Sequence, residues 1–148
     1  MQITNKNNVI LTLCTLALVV LCFASVYSPM RFEEKRKARE ALVMERLTRI
    51  GRAEKAYMKA HGTYAPDLKT LIASGLIADS LTFIPYSEGE RFALEASVET
   101  EKSGKVVNTM ECGAQYQQYL KGLNENDIAN LIEDANKRGE YPGMKIDL

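Results

Sequence analysis

Residues 9–27, VILTLCTLALVVLCFASVY, carry no charged side chain, and this run constrains the chain more than any other feature. A helix rising about 1.5 Å per residue would cover about 28 Å here, close to the hydrocarbon thickness of a bilayer. Only Thr12, Thr15 and Ser25 bring hydroxyls before Tyr27, which falls where an interfacial aromatic belongs. The rival reading is a cleaved signal peptide, with Cys22 and Ala24 as the small pair before the cut. The weak basic start and the continuation of the apolar run through Val26 and Tyr27 favour an uncleaved anchor. Leu13 and Leu21 precede Cys14 and Cys22, so neither cysteine has the small neighbour of a lipoprotein site. Cys112 is the one cysteine beyond the anchor and has no disulfide partner there.

Beyond the run the charge balance becomes informative. The chain of 148 residues has 19 basic and 19 acidic side chains, but they are not mixed evenly. Residues 30–60 hold ten basic against five acidic residues, and residues 61–148 hold eight against fourteen. The basic residues that follow the anchor (Arg31, Lys35, Arg36, Lys37, Arg39) suit anionic lipid headgroups, at about 1 kcal/mol each. They ring the helix beside a membrane segment, so no nucleic-acid partner is expected.

The charged stretch keeps a helical period. Val43, Leu47, Ile50, Tyr57 and His61 form a stripe on one face. Glu33 with Lys37 and Glu45 with Arg49 are i,i+4 pairs in the favourable order. Anchor and stem can share one helix, with Ser28-Pro29 the only place for a kink. Gly62 suits the left-handed stop of that helix, and His61 suits its C-terminal dipole. Asp67 then caps a short helix, DLKTLIAS, closed by Gly75. Its apolar residues Leu68, Leu71 and Ile72 should cover the stem stripe around Tyr57, making Tyr57 and Tyr64 core residues that lock stem to head.

After Asp79 the period changes to that of strands. LTFIPY (81–86), a SEGE turn and RFALEASVE (91–99) read as a hairpin, with Phe92, Leu94, Ala96 and Val98 on one face. An EKSG turn (101–104) leads to a third strand, KVVNTMEC, and AQYQQYLKGL reads as a further strand. Asn124 or Asn126 caps an amphipathic helix with Ile128, Leu131, Ile132 and Ala135 inward and Gly139 at its end. YPGMKIDL closes the chain as a turn and an edge strand. The expected organisation is a tail (1–8), a transmembrane helix (9–28), an amphipathic stem (29–62) and a small head (63–148). The fold class is α+β, a long helix packed on a small antiparallel sheet with a C-terminal helix.

The pattern A-E-x-A-Y-x-x-x-H-G-x-Y-x-x-x-L, at Ala53, Glu54, Ala56, Tyr57, His61, Gly62, Tyr64 and Leu68, resembles the segment where a type II secretion pseudopilin or type IV pilin helix meets its head. The resemblance covers residues 43–77 in sequence and the remainder in layout. It implies a pilin-like head with a structural or assembly role in an envelope complex. The chain departs from the family in having no Gly-Phe processing site before the apolar run and no Glu within it. The segments DSLTFIPYSEGERFALEA, YLKGL and YPGMKI are also similar to a family of uncharacterised bacterial single-pass membrane proteins.

Residues suited to chemistry are sparse. His61 is the only histidine and has no second ligand at metal spacing. A Ser/His/Asp triad would need that histidine, which lies on the stem. Lys102-Ser103-Gly104-Lys105 lacks the spacing of a phosphate loop, and Glu88 and Glu90 read as a solvated turn. Asp127, Glu133, Asp134 and Glu140 lack calcium-loop spacing. No catalytic, cofactor-binding or metal-binding residue is therefore assigned, no cofactor is expected, and the chain is read as a non-enzyme. Its expected partners are the lipid bilayer and other membrane or envelope proteins, with self-association as one mode. The alternative is a monomeric tethered module that binds a ligand or envelope component. The expected location is the bacterial cytoplasmic (inner) membrane. The basic flank after the anchor favours a cytoplasmic head, whereas the pilin-like layout places it outside, and the latter is the expectation adopted.

Overall fold

The computed structural model describes residues 3–100, 102 and 104–148. These fall into two compact units, Met1–Lys35 and Arg36–Leu148. The element order is helix α1 (Ile3–His61), α2 (Leu68–Ala73), a 3-10 turn (Asp79–Thr82), strands β1 (Ala93–Thr100) and β2 (Val106–Gln115), helices α3 (Tyr116–Tyr119) and α4 (Glu125–Arg138), and strand β3 (Gly143–Asp147). The class is α+β, with one long N-terminal helix, a three-stranded antiparallel sheet in the order β1-β2-β3, and a C-terminal helix.

In the first unit α1 starts at Ile3, so Ile3 through Asn8 of the expected tail are helical, and Pro29 lies inside the helix. Thr12 and Thr15 donate their hydroxyls to the carbonyls of Asn8 and Leu11, each at 2.8 Å, and so expose no spare donor. Arg31 lies over the Tyr27 ring at 4.9 Å. The apolar window of α1 has a mean hydropathy of 2.8 and none of it is buried. By length and composition this one helix can cross a membrane.

In the second unit the remaining turns of α1 form the spine of the head. Val43, Leu47, Ile50, Ala53 and Glu54 are buried, and the stripe differs from expectation at its end. His61 is exposed and Tyr57 only half-buried, their rings stacked at 4.1 Å rather than packed into the core. Gly51, in mid-helix, marks a close approach: a Cβ there would lie 2.9 Å from Ile146 Cδ1 on β3. The stem thus packs on the sheet face carrying Met110, Cys112 and Ala114, all essentially inaccessible. Arg39 donates to the carbonyls of Tyr119 and Lys121 at the end of α3, and Arg46 donates to that of Phe83.

The breaks fall where local chemistry requires them. Gly62 has φ +80 and its N–H returns to Met58 O at 2.7 Å. Asp67 caps α2 by accepting from Thr70 N–H at 2.7 Å, and Leu68 and Leu71 are buried. Asn124 caps α4, and Gly139 ends it with φ 68. The expected turn over 101–104 lies partly outside the described residues, which omit Glu101 and Ser103.

Two expected strands are not strands. Residues 81–86 supply the end of the 3-10 turn and a single bridge from Phe83 to Arg91. Pro85 has no N–H to extend a ladder, and Tyr86 turns the backbone at φ 64. The second is AQYQQYLKGL: β2 runs two residues into it, and α3 follows. Gln115 and Gln118 form a reciprocal capping box there, satisfying amide groups that a strand would have had to pair.

Candidate functional surfaces

Among the described residues Glu54 is the one acidic or basic side chain that the fold buries. It is inaccessible to solvent, and its Oε2 accepts from Ala65 N–H at 2.9 Å. Its Oε1 is buried with no hydrogen-bond partner among the described residues. Burial raises the carboxyl above its ordinary value, and the Ala65 N–H acts in the opposite direction. Cys112 feels that charge from β2. Burial first, and Glu54 second, push its thiol up to about 12, which keeps it protonated and unreactive at neutral pH. Glu54 was missed as a core position, although the sequence carried a signal. It stands four residues after Ile50 and three before Tyr57, filling the one gap in the stripe.

The other candidate groups are dispersed. His61 Nδ1 lies 3.1 Å from Tyr57 O on its own helix. Glu88 pairs with Lys121, just past α3, and Glu90 accepts from Gln118 on α3 at 2.7 Å, so the two carboxylates tie a loop to that segment rather than facing one site. That loop is held from within by Ser87, whose buried Oγ donates to Ile84 O and accepts from Glu90 N–H. Tyr86 and Glu88 take positive φ around it, and Arg39 lies over the exposed Tyr86 ring at 4.2 Å. On α4, Glu133 pairs with Lys137, and beyond its end Glu140 pairs with Arg138. Among the described residues no group of three or more histidine, cysteine or acidic side chains could hold a metal ion.

The sheet presents a more ordered surface. On its outer face Glu95 of β1 stands opposite Glu111 of β2, which stands opposite Asp147 of β3. Like charges directly opposite destabilise a sheet. Lys145 answers part of this row, 3.4 Å from Glu111 and 3.2 Å from Asp147. A hollow of about 190 Å³ lies beside the row, lined by Glu95, Glu111, Tyr141 and Lys145. Ser97 and Thr109 bond to each other across the same face at 2.7 Å.

No family model, no curated protein and no solved structure matches this chain.

Proposed function

We propose that this is a single-pass membrane protein of the bacterial cytoplasmic membrane, with a non-enzymatic structural or assembly role in an envelope complex and a pilin-like head outside the cytoplasm. The observation carrying this reading is the composition of α1. Its uncharged run is wholly exposed, while later turns of the same helix supply the buried spine of a folded domain. An exposed apolar run of that length is costly in water and favourable in lipid. The unreactive Cys112 thiol and the dispersed carboxylates support a role in contact rather than in turnover.

The chain purified in detergent should form defined oligomers by light scattering if it assembles. A uniform monomer would overturn the assembly role and favour the tethered binding module. A reporter active only after export, fused behind Leu148, should be active. A stable but inactive fusion would place the head in the cytoplasm, as the basic flank favours.

A further inference from the structure

The direction of the backbone hydrogen bonds shows which edge of the sheet is open. Met110 and Leu148 exchange both backbone bonds at 2.9 Å, so even-numbered residues of β2 point toward β3 and odd-numbered ones toward β1. The β1 partners of those odd residues are Ala93, Glu95, Ser97 and Glu99. Leu94, Ala96, Val98 and Thr100 therefore turn their N–H and C=O groups away from β2. The start of the edge agrees: Phe92 N–H donates to Thr82 O, and Ile84 N–H donates to Glu90 O. This cover ends at Phe92, and no described residue bonds to the groups beyond it.

We propose that the edge of β1 from Leu94 to Thr100 is a docking site for an extended segment of a partner protein, in which lysine or arginine alternates with aliphatic residues. It rests on the assembly reading and deepens it by naming the surface a partner would use. An incoming strand would continue the sheet where the Thr82 contact stops, with main-chain bonds supplying affinity and alternating side chains supplying selectivity. Its outward side chains would stand beside Glu95 and Glu99, for which no ion pair occurs among the described residues. The chain itself shows the complementary choice at the other side of the sheet, where β3 sets Lys145 beside Glu111. On the inner face the apolar row loses its cover along the hairpin. Met110 and Cys112 are 1% exposed, whereas Val98 and Val106 are 60% and 56% exposed. Aliphatic side chains on the incoming strand would cover Val98. Charged residues on an edge often serve to repel other strands. Acidic ones repel an acidic strand and attract a basic one, and this sets the class of partner.

The test is hydrogen exchange on the full chain in detergent micelles, with a synthetic peptide of alternating lysine and valine as probe. The amides of Leu94, Ala96 and Val98 should exchange at least about tenfold more slowly with the peptide, as newly bonded amides do. Those of Glu95, Ser97 and Glu99, already bonded to β2, should not change. Glu95→Lys with Glu99→Lys should abolish this protection and confer it on a glutamate–valine peptide. Ala96→Pro removes an N–H that the fold does not use and should prevent binding while the head still melts cooperatively. Uniform protection, or equal binding by a peptide methylated on alternate backbone nitrogens, would overturn the proposal. Protection that rises with protein concentration and needs no peptide would also overturn it, by showing a second copy on the edge. Oligomer size and membrane insertion are separate measurements, so loss of the docking site would leave the assembly reading standing.

Discussion

Gly143→Ala should be far more damaging than its single added methyl group suggests. Gly143 opens β3 opposite Gln115, and its backbone does not need the left-handed freedom of glycine. What it needs is space. A Cβ at this position would lie 2.1 Å from Ala114 O and 2.7 Å from Gln115 Cα. Carbon–oxygen contacts between strands are ordinarily about 3.3 Å, so β2 and β3 would have to part by about 1 Å. Both obstructing atoms are main chain, and no rotamer change relieves the overlap. Parting the strands strains the bond from Tyr116 N–H to Pro142 O, now 3.0 Å. It also moves Ile146 and Leu148, whose Cδ1 atoms lie 2.9 and 3.7 Å from where a Cβ on Gly51 would stand. Overpacking costs about 1–3 kcal/mol and a lost hydrogen bond about 1 kcal/mol, giving about 2–4 kcal/mol in all. For a domain of this size that lowers Tm by about 8–16 °C in calorimetry of the full chain in micelles. Gly62→Ala is the internal comparison. Its φ is +80 but nothing lies within 4 Å of the added Cβ, so strain alone should cost about 1 kcal/mol. If Gly143→Ala melts no lower than Gly62→Ala, the register of β2 on β3 is wrong.

Two further outcomes are expected. Glu54 has a raised carboxyl value in the fold, so its contribution to stability is fully present below the unfolded value of 4.5 and declines as pH rises through the folded value. Within that window the slope is about 1.4 kcal/mol per pH unit. Glu54→Gln keeps an acceptor for Ala65 N–H, so it should remove this decline and unfold at higher denaturant than the parent at alkaline pH; an unchanged pH profile would show that Glu54 is not buried. Arg39→Lys should cost about 1–2 kcal/mol in denaturant unfolding, because one ammonium cannot bond the carbonyls of Tyr119 and Lys121 while also lying flat over Tyr86. An unchanged midpoint would show that this junction is held by apolar packing alone.

The features legible in the sequence are those that local chemistry decides. The uncharged run, the Gly62 stop, the Asp67 and Asn124 caps and the Gly139 terminator each depend on a residue and its near neighbours, and each stands where expected. Residues 81–86 and 116–119 depended on what the rest of the chain supplied. The first carries the aromatic and β-branched residues of a strand, yet Pro85 interrupts its donors and the 3-10 turn at Asp79 uses its start. The second, Tyr-Gln-Gln-Tyr, has no clear period of its own, and Gln115 and Gln118 decide it by satisfying each other's backbone and closing a helical turn. The open edge of β1 follows from the first of these segments. A full strand at 81–86 would have paired along β1, whereas one bridge and two hydrogen bonds cover only its start. Pro85 was the signal that this cover would be short.

Glu54 and Gly62 together show why the helix breaks where it does. An amphipathic helix meeting a sheet could be held by apolar packing alone, and such packing tolerates slippage by a turn at small cost. Here Gly62 reverses the chain, and Asn108 Nδ2 from β2 donates to its carbonyl at 3.1 Å. Three residues later Ala65 returns its N–H to Glu54, two turns back on the stem. A shift of the stem by one turn, about 5.4 Å, would break both bonds and leave a buried carboxylate with no donor at all. Each bond contributes little net stability, but their loss penalises every other register. The same contacts explain why β1, paired to β2 throughout its length, has a fixed position relative to the stem. A docking strand needs an edge held in place, and in this fold the polar contacts around the break help to hold it.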